Sequence, residues 1–192
     1  MLFREVEIFN GDRYRVPQCI QRIDHRATHG WQLRYGGTRL FSDHSADGSG
    51  TEQALVRATR ELVRRIATLE APTTLQRAPS ANKSNGLPPG ISGPIVRGRA
   101  GGRARDCSLA VLLPRFGEPA QRRSIYIATE ATFTQAKLRA AIKRAVAMRA
   151  EAEEAYRKAA TRARRAEAKV IRAMLAAGEF ACLPRRAVKK AA

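Results

Sequence analysis

Residues 124–146 read SIYIATEATFTQAKLRAAIKRAV, and this stretch joins two kinds of pattern. Ile125, Tyr126 and Ile127 have the branched and aromatic side chains that strands favour. A threonine-rich turn follows, in which Thr132 and Gln135 have the spacing of a capping box at the start of a helix. The stretch therefore predicts a strand that leads through a short turn into a helix.

An earlier stretch, residues 39–66, repeats this pattern, with Ser49 and Glu52 at the spacing of a second capping box. The apolar positions of the two helices agree in register, which is typical of core-facing stripes. The matching pairs are Leu55 with Leu138, Ala58 with Ala141, and Val63 with Val146. Two unrelated hairpin-plus-helix units are the alternative interpretation.

Alternating apolar residues upstream of each helix predict strands with one buried face. They are Trp31, Leu33 and Tyr35 in the first copy and Leu109, Val111 and Leu113 in the second. We therefore expect an α+β fold of two small units, each a three-stranded antiparallel sheet packed on a helix, with a long C-terminal basic helix. The expected organisation is a sheet-plus-helix unit at 1–70, a Pro- and Ser-rich linker at 71–90, a second unit at 91–150, and a helix extension with a basic tail at 151–192. Asn10-Gly11 predicts a hairpin before the first copy.

The net charge is the strongest compositional feature of the chain. Its 192 residues include 36 Lys and Arg against 17 Asp and Glu, a net charge of +19. The excess is uneven, since residues 1–70 hold 11 basic and 9 acidic residues whereas residues 134–192 hold 16 and 5. Such an excess repels itself unless a polyanion neutralises it, so nucleic acid is the first candidate partner and an acidic membrane surface is the second. A merely soluble basic protein is the alternative interpretation.

The second helix is predicted to run from about Phe133 to Ala177, before Gly178. At 1.5 Å per residue it would be about 65 Å long, so we expect its far half to project from a small domain. A cationic stripe on this half comprises Lys158, Arg162, Arg165, Lys169 and Arg172. A seam of Ala152, Tyr156, Ala159, Ala163, Ala166 and Val170 suits packing either on the protein's own domains or on a second copy.

No catalytic, metal or cofactor site is expected from the sequence. Cys19, Cys107 and Cys182 are far apart, and His25 and His29 lack the further ligands that would complete a metal site. The segment GRAGGRARD at 98–106 lacks the ending of a phosphate-binding P-loop. No signal peptide or membrane span is visible, so we expect a cytoplasmic, nucleoid-associated protein without a membrane partner. No nucleophile–base pair stands out in the sequence, so we expect no enzymatic activity.

The order of these elements resembles the ethylene-response-factor (APETALA-type) DNA-binding domain family, including its bacterial and phage-type members. Tyr14-Arg15, the strand at Trp31 and the helix from Thr51 are similar to it in the first copy. GISGPIVRGR and IYIATEATFTQAKLRAA are similar to it in the second copy, so the resemblance covers residues 13–68 and 88–150 as two tandem divergent copies. It implies a sheet that enters the major groove of double-stranded DNA, with arginines that contact bases and phosphates.

The alternation in the strands leads to a similar expectation, because Gln32 and Arg34 face outward if Trp31 and Leu33 face the helix. Arginine can bind guanine bidentately and can also bind phosphate. The residues expected to contact DNA are Arg22, Arg34, Arg39, Arg97, Arg99, Arg103, Arg105, Arg115, Arg122, Arg123, Lys158, Arg162, Arg165, Lys169 and Arg172.

We therefore expect a double-stranded DNA-binding protein that acts as a transcription regulator or as a chromosome-organising protein. An RNA-binding or ribosome-associated structural protein is the alternative, because basic helical tails also suit RNA. The first unit and the C-terminal helix are the two surfaces through which a homodimer is expected to form.

Overall fold

The computed structural model describes residues 3–26, 28–79, 81–83, 85–98 and 105–184. The fold is α+β, as the sequence predicts. Its elements are β1 (Phe3–Glu7), β2 (Arg13–Pro17), β3 (Ile20–His25), β4 (Thr28–Arg34), β5 (Thr38–Ser42), α1 (Thr51–Thr68), β6 (Ile91–Gly98), β7 (Arg105–Arg115), β8 (Glu118–Thr129) and α2 (Gln135–Ala176). The strands form three antiparallel sheets, β1-β2, β3-β4-β5 and β6-β7-β8.

The chain divides into two compact units. The first contains the residues up to Pro72 together with those from Thr161 onward, and the second contains Thr73–Ala160. This division departs from the boundaries expected from the sequence, because sequence patterns show the order of the segments but not the core on which each segment packs. The two halves of α2 accordingly belong to different units.

The core of the first unit lies between α1 and the inner face of the β3-β4-β5 sheet. Trp31, Leu33, Leu55 and Leu62 are fully buried there. The indole of Trp31 donates a hydrogen bond to the carbonyl oxygen of Thr51 at 3.0 Å, which fixes the start of α1 against β4. The strands predicted upstream of the first helix are therefore present, and Trp31 and Leu33 face the helix as expected.

The second half of α2 does not project into solvent. Ala168, Ile171 and Met174 are buried in the core of the first unit, and Phe180 beyond the helix is buried with them. The expected seam packs only in part, because Ala152, Tyr156, Ala159 and Ala163 are half-buried whereas Ala166 and Val170 are exposed. The ring of Tyr156 contacts that of Phe116, with ring centres 5.6 Å apart. The second half of α2 packs through Ile171 and Met174 because these side chains bury more apolar area than the alanines of the seam do.

Neither predicted capping box is present. The N-cap of α1 is Gly50, which has no side chain to cap with, and Ser49 donates its backbone N–H to Asp47. The start of the helix is held instead by the hydroxyl of Thr51, which donates to the carboxylate of Asp43 at 2.8 Å.

The second helix is capped two residues later than the sequence predicts. A 3₁₀ turn over Glu130–Thr132 intervenes after β8 and delays the helix. The hydroxyl of Thr134 then accepts a hydrogen bond from the backbone N–H of Lys137 at 3.2 Å, which is N-cap geometry. At the other end the predicted stop at Gly178 is confirmed, with φ +72° and a backbone bond from Glu179 back to Met174.

The second unit packs the first half of α2 on one face of the β6-β7-β8 sheet. Leu109, Val111 and Ile125 from the sheet are buried against Ala141 and Ala145 of the helix. Within the described residues, no helix of the second unit packs on the other face of the sheet, and this position makes that face the candidate for binding. Among the described residues, no helix is both long and apolar enough to cross a membrane.

Candidate nucleic-acid interface

Strand register defines the face of the second sheet that points away from α2, which we call the outer face. Leu109 pairs with Ile125 on the buried side, so the residues between them in the alternation point outward. The outer face comprises Ser92, Ile95 and Arg97 on β6, Asp106, Ser108, Ala110 and Leu112 on β7, and Arg122, Ser124 and Tyr126 on β8. Large side chains stand at the two ends of this face, and small side chains lie between them.

Arg97 and Arg122 are the two arginines of the outer face, and they stand near its opposite ends. Both are exposed, and neither has a carboxylate partner within the described part of the chain. In the strand register, Arg122 lies opposite Leu112 across the β7–β8 hairpin. Arg97 lies opposite the half-buried Asp106 near the other end of the sheet. A guanidinium group that is exposed and lacks a carboxylate keeps all its donors available to a phosphate or a base edge.

Arg123 is not part of this face. It pairs with the buried Val111, so it points to the side on which α2 packs, although its position near the end of the hairpin leaves it exposed. The run of two arginines in the sequence therefore divides between the two faces of the sheet, as strand alternation requires.

Arg105 and Arg115 lie at the two rims of the second sheet and are each paired with an acid. Arg105 is 3.3 Å from Glu130, and Arg115 forms an ion pair with Glu118 across the hairpin end. All four side chains are about half exposed, and such surface pairs contribute only about 0.2–1 kcal/mol. Both arginines can therefore exchange their partner for a phosphate. Arg99 and Arg103, which were also expected to contact DNA, lie outside the described residues.

The position of the outer face depends on an arginine that sequence reasoning missed. Arg149 of α2 is 8% exposed, donates to the carbonyl of Leu112 at 2.6 Å and lies 2.7 Å from the carboxylate of Glu153. It stands at the helix position that corresponds to the buried Ile66 of the first copy. A charged residue at a repeated core position is the signal that could have identified it.

Two further contacts fix the edges of this sheet. Arg144 of α2 donates to the carbonyl of Tyr126 on the edge strand β8 at 3.1 Å. Lys83 donates to the carbonyls of Pro88 and Ile91 at 2.5 and 2.6 Å, which holds the segment before β6. Burial, with a smaller contribution from the charge of Arg149, lowers the pKa of Lys83.

The structure gives Arg22 a structural role. Its side chain is 6% exposed and lies 2.7 Å from the carboxylates of both Asp24 and Asp43. The guanidinium also stands 5.1 Å from the ring centre of Trp31. Burial raises the pKa of Asp24, but hydrogen bonds from Arg22 and His29 outweigh it and leave that pKa below its ordinary value. Arg22 has no surface left for a phosphate.

Arg34 and Arg39 are exposed in the first sheet but lie on opposite faces. Arg34 points outward and donates to the side-chain oxygen of Gln32 at 2.6 Å. Arg39 pairs with the buried Leu33, lies over the ring of Phe41 at 5.1 Å and is 4.0 Å from Glu61. Beside Arg34, the outer face of the first sheet presents Gln21, Ile23, Gln32, Leu40 and Ser42, so it carries one arginine where the outer face of the second sheet carries two arginines and Asp106.

The cationic stripe of α2 is exposed along its whole length, as expected. Lys158 is in the second unit and lies 3.4 Å from Glu154, whereas Arg162, Arg165, Lys169 and Arg172 are in the first unit. The structure adds Arg60 of α1, which was not expected. Arg60 and Arg172 line one groove of the first unit, together with Val63, Leu175 and Ala176.

The described residues include no group of three or more His, Cys, Asp or Glu side chains that could hold a metal ion. His29, a residue of the HxxxH spacing, is instead 2.9 Å from Asp24 and stacks on Phe9 with ring centres 4.4 Å apart. No family model matches the chain, and neither the curated proteins nor the solved structures contain a match to it.

Proposed function

We propose that the protein binds double-stranded DNA through the outer face of the β6-β7-β8 sheet, with the rim arginines and the cationic stripe of α2 as phosphate contacts. The observation that supports this most directly is the placement of Arg97 and Arg122. They stand on one exposed sheet face, away from the helix, and neither has a carboxylate partner among the described residues.

The dimensions of the sheet match those of the major groove. Three strands spaced about 4.8 Å apart span about 10 Å between the outer backbones, and the groove is about 12 Å wide. Outward side chains on one strand repeat every 6.7 Å or so, which is close to two base-pair steps of about 3.4 Å. Arg122, Ser124 and Tyr126 are three consecutive outward positions on β8. A strand that follows the groove would therefore present them to alternate base pairs.

The charge of the whole chain supports the same proposal. A net charge of +19 on 192 residues favours a polyanionic partner, and 16 of the 36 cations lie in residues 134–192. Four members of the α2 stripe, Arg162, Arg165, Lys169 and Arg172, are exposed and have no carboxylate partner in the described ranges. Contacts of this kind strengthen binding without reading sequence.

Titration of a fluorescent 24-base-pair duplex at several salt concentrations tests the proposal. Each neutralised phosphate contributes about −0.9 to the slope of log K against log salt, so a surface of this charge predicts a slope of about −4 or steeper. A slope near zero, or no binding at low salt, would refute it. Selection of bound duplexes from a random pool then separates the two roles, because a regulator enriches a motif whereas a chromosome-organising protein does not.

The exposed tyrosine on the outer face favours a second candidate function, binding of RNA. Tyr126 is 51% exposed on β8, two outward positions from Arg122. An aromatic side chain on an arginine-bearing sheet can stack on an unpaired base, which is how many sheets bind single-stranded RNA. Competition of a labelled DNA duplex by unlabelled single-stranded RNA of the same length distinguishes the two. If unlabelled RNA displaces the labelled duplex at a lower concentration than the unlabelled duplex does, the result would favour the RNA-binding function.

A further inference from the structure

The outer face of the second sheet combines its arginines with exposed apolar side chains. Leu112 is 46% exposed and Tyr126 is 51% exposed, although their neighbours in the chain, Val111 and Ile125, are buried. Ile95, on β6, is half-buried and lies opposite Ser108, which in turn lies opposite Tyr126. Apolar side chains do not contribute to phosphate binding, so they are available for a different contact.

Register places each apolar side chain beside a polar one that can contact DNA. Leu112 is the direct cross-strand partner of Arg122. Tyr126 and Ile95 flank Ser108, whose small side chain leaves space between them. Arg122 and Tyr126 are four residues apart on β8, a distance of about 13 Å or about four base-pair steps.

We propose, on the basis of the proposed DNA binding, that Leu112 and Tyr126 recognise the 5-methyl groups of thymines in the major groove. Thymine is the one standard base that presents a methyl group there, and apolar side chains contact it. A duplex approached by this face would bring the methyl groups against Leu112 and Tyr126 while Arg97 and Arg122 contact bases or phosphates. The ligand class is therefore duplex DNA with thymines at defined steps, rather than any polyanion.

The test uses two pairs of 24-base-pair duplexes that differ only in methyl groups. In the first pair, every thymine of an A·T-rich duplex is replaced by uracil. In the second pair, the cytosines of a G·C-rich duplex are replaced by 5-methylcytosine, which places a methyl group at the same edge of the groove. Removal of each contacted methyl is expected to weaken binding about fourfold, and its addition to the G·C duplex is expected to strengthen binding by a similar factor.

A variant series assigns the effect to the side chain. Leu112→Ala should bind thymine and uracil duplexes with closer affinities than the wild type does, and because Leu112 is half exposed the variant should fold normally. Leu40→Ala is the matched control, since Leu40 is 43% exposed on the outer face of the first sheet. It should keep the wild-type preference.

The possible outcomes separate this inference from the proposed function. Equal wild-type affinity for the thymine and uracil duplexes, with binding itself retained, would overturn methyl recognition and leave DNA binding intact. A preference that survives in Leu112→Ala and in Tyr126→Ala would also overturn it. Loss of binding to every duplex would overturn both.

Discussion

Replacement of Arg22 by methionine should destabilise the first unit and leave DNA binding unchanged. Arg22 of β3 forms ion pairs with Asp24 of the same strand and with Asp43 in the loop before α1, and the side chain of Asp43 has no exposed surface. Methionine fills a similar volume but leaves the Asp43 carboxylate without its cation. The hydroxyl of Thr51 stays bonded to Asp43 but carries no charge.

The expected loss is about 3–5 kcal/mol in the free energy of unfolding of the first unit, the range measured when one partner of a buried ion pair is removed. The double variant Arg22→Met/Asp43→Asn should recover a substantial part of it, because no uncompensated charge is then left in the core. The loss should therefore be far from additive in a double-mutant cycle.

Urea unfolding followed by tryptophan fluorescence is the suitable assay. The chain has a single tryptophan, Trp31, which is fully buried in the first unit with the Arg22 guanidinium 5.1 Å from its ring. The fluorescence transition therefore reports the first unit separately from the second. Urea is preferable to guanidinium chloride because it does not screen the ion pairs under study.

The exposed Arg34 provides the control, and Arg34→Met should change the free energy of unfolding of the first unit by less than about 0.5 kcal/mol. The explanation fails if Arg22→Met unfolds at the wild-type urea concentration, or if it weakens DNA binding at least tenfold at a temperature where the first unit is still folded. The latter result would return Arg22 to the DNA-contacting residues.

Three further predictions concern the helices. Hydrogen bonds from Arg64 and Arg65 lower the pKa of Glu61 from 4.5 to about 2. The stabilisation by the Glu61 carboxylate is therefore complete above pH 4.5 and is lost as the pH falls toward 2. Glu61→Gln should remove this pH dependence of the free energy of unfolding, measured by urea unfolding across the same pH range. Thr134→Ala should lower the free energy of unfolding of the second unit by about 1 kcal/mol, measured by unfolding followed by circular dichroism, without a change in DNA affinity. Arg149→Met should destabilise the same unit by about 3 kcal/mol and also weaken DNA binding, because the Leu112 carbonyl loses its buried donor; a melting temperature equal to that of the wild type would contradict it.

Sequence periodicity predicted the secondary structure well because each element has a strong local signal. Alternation at Trp31 and Leu33 and at Leu109 and Val111 marked strands with one buried face, and Gly178 marked the end of α2. These signals depend on neighbours within a few residues, which a sequence displays directly.

The sequence could not predict how the second half of α2 packs, because that depends on surfaces distant in sequence. Ile171 and Met174 are two apolar residues in an alanine- and arginine-rich helix, and only the folded chain shows that they join a core built from residues 3–66. The capping boxes failed for a related reason. Spacing alone did not reveal that Gly50 would be the N-cap or that a 3₁₀ turn would precede Gln135.

The sequence predicted that exposed arginines would form the candidate site, but it did not predict which arginines lie on one face. Strand alternation separates Arg122 from Arg123, which the sequence presents as one basic pair. It takes the fold to show that Arg22 contacts two carboxylates and that Arg149 occupies a core position. Charge identifies the residues available for a polyanion, but burial decides which of them can reach it.

The DNA affinity of the double variant Arg97→Ala/Arg122→Ala tests the central claim most directly. We expect at least a tenfold loss on a 24-base-pair duplex and a salt slope that is shallower by about 1–2, with an unchanged melting temperature because both side chains are exposed. Arg34→Ala/Arg39→Ala, which removes two exposed arginines from the first sheet, should bind within about threefold of the wild type, because neither residue belongs to the proposed DNA-binding surface. Equal losses in the two variants, or none in the first, would show that the outer face of the second sheet is not the DNA-binding surface.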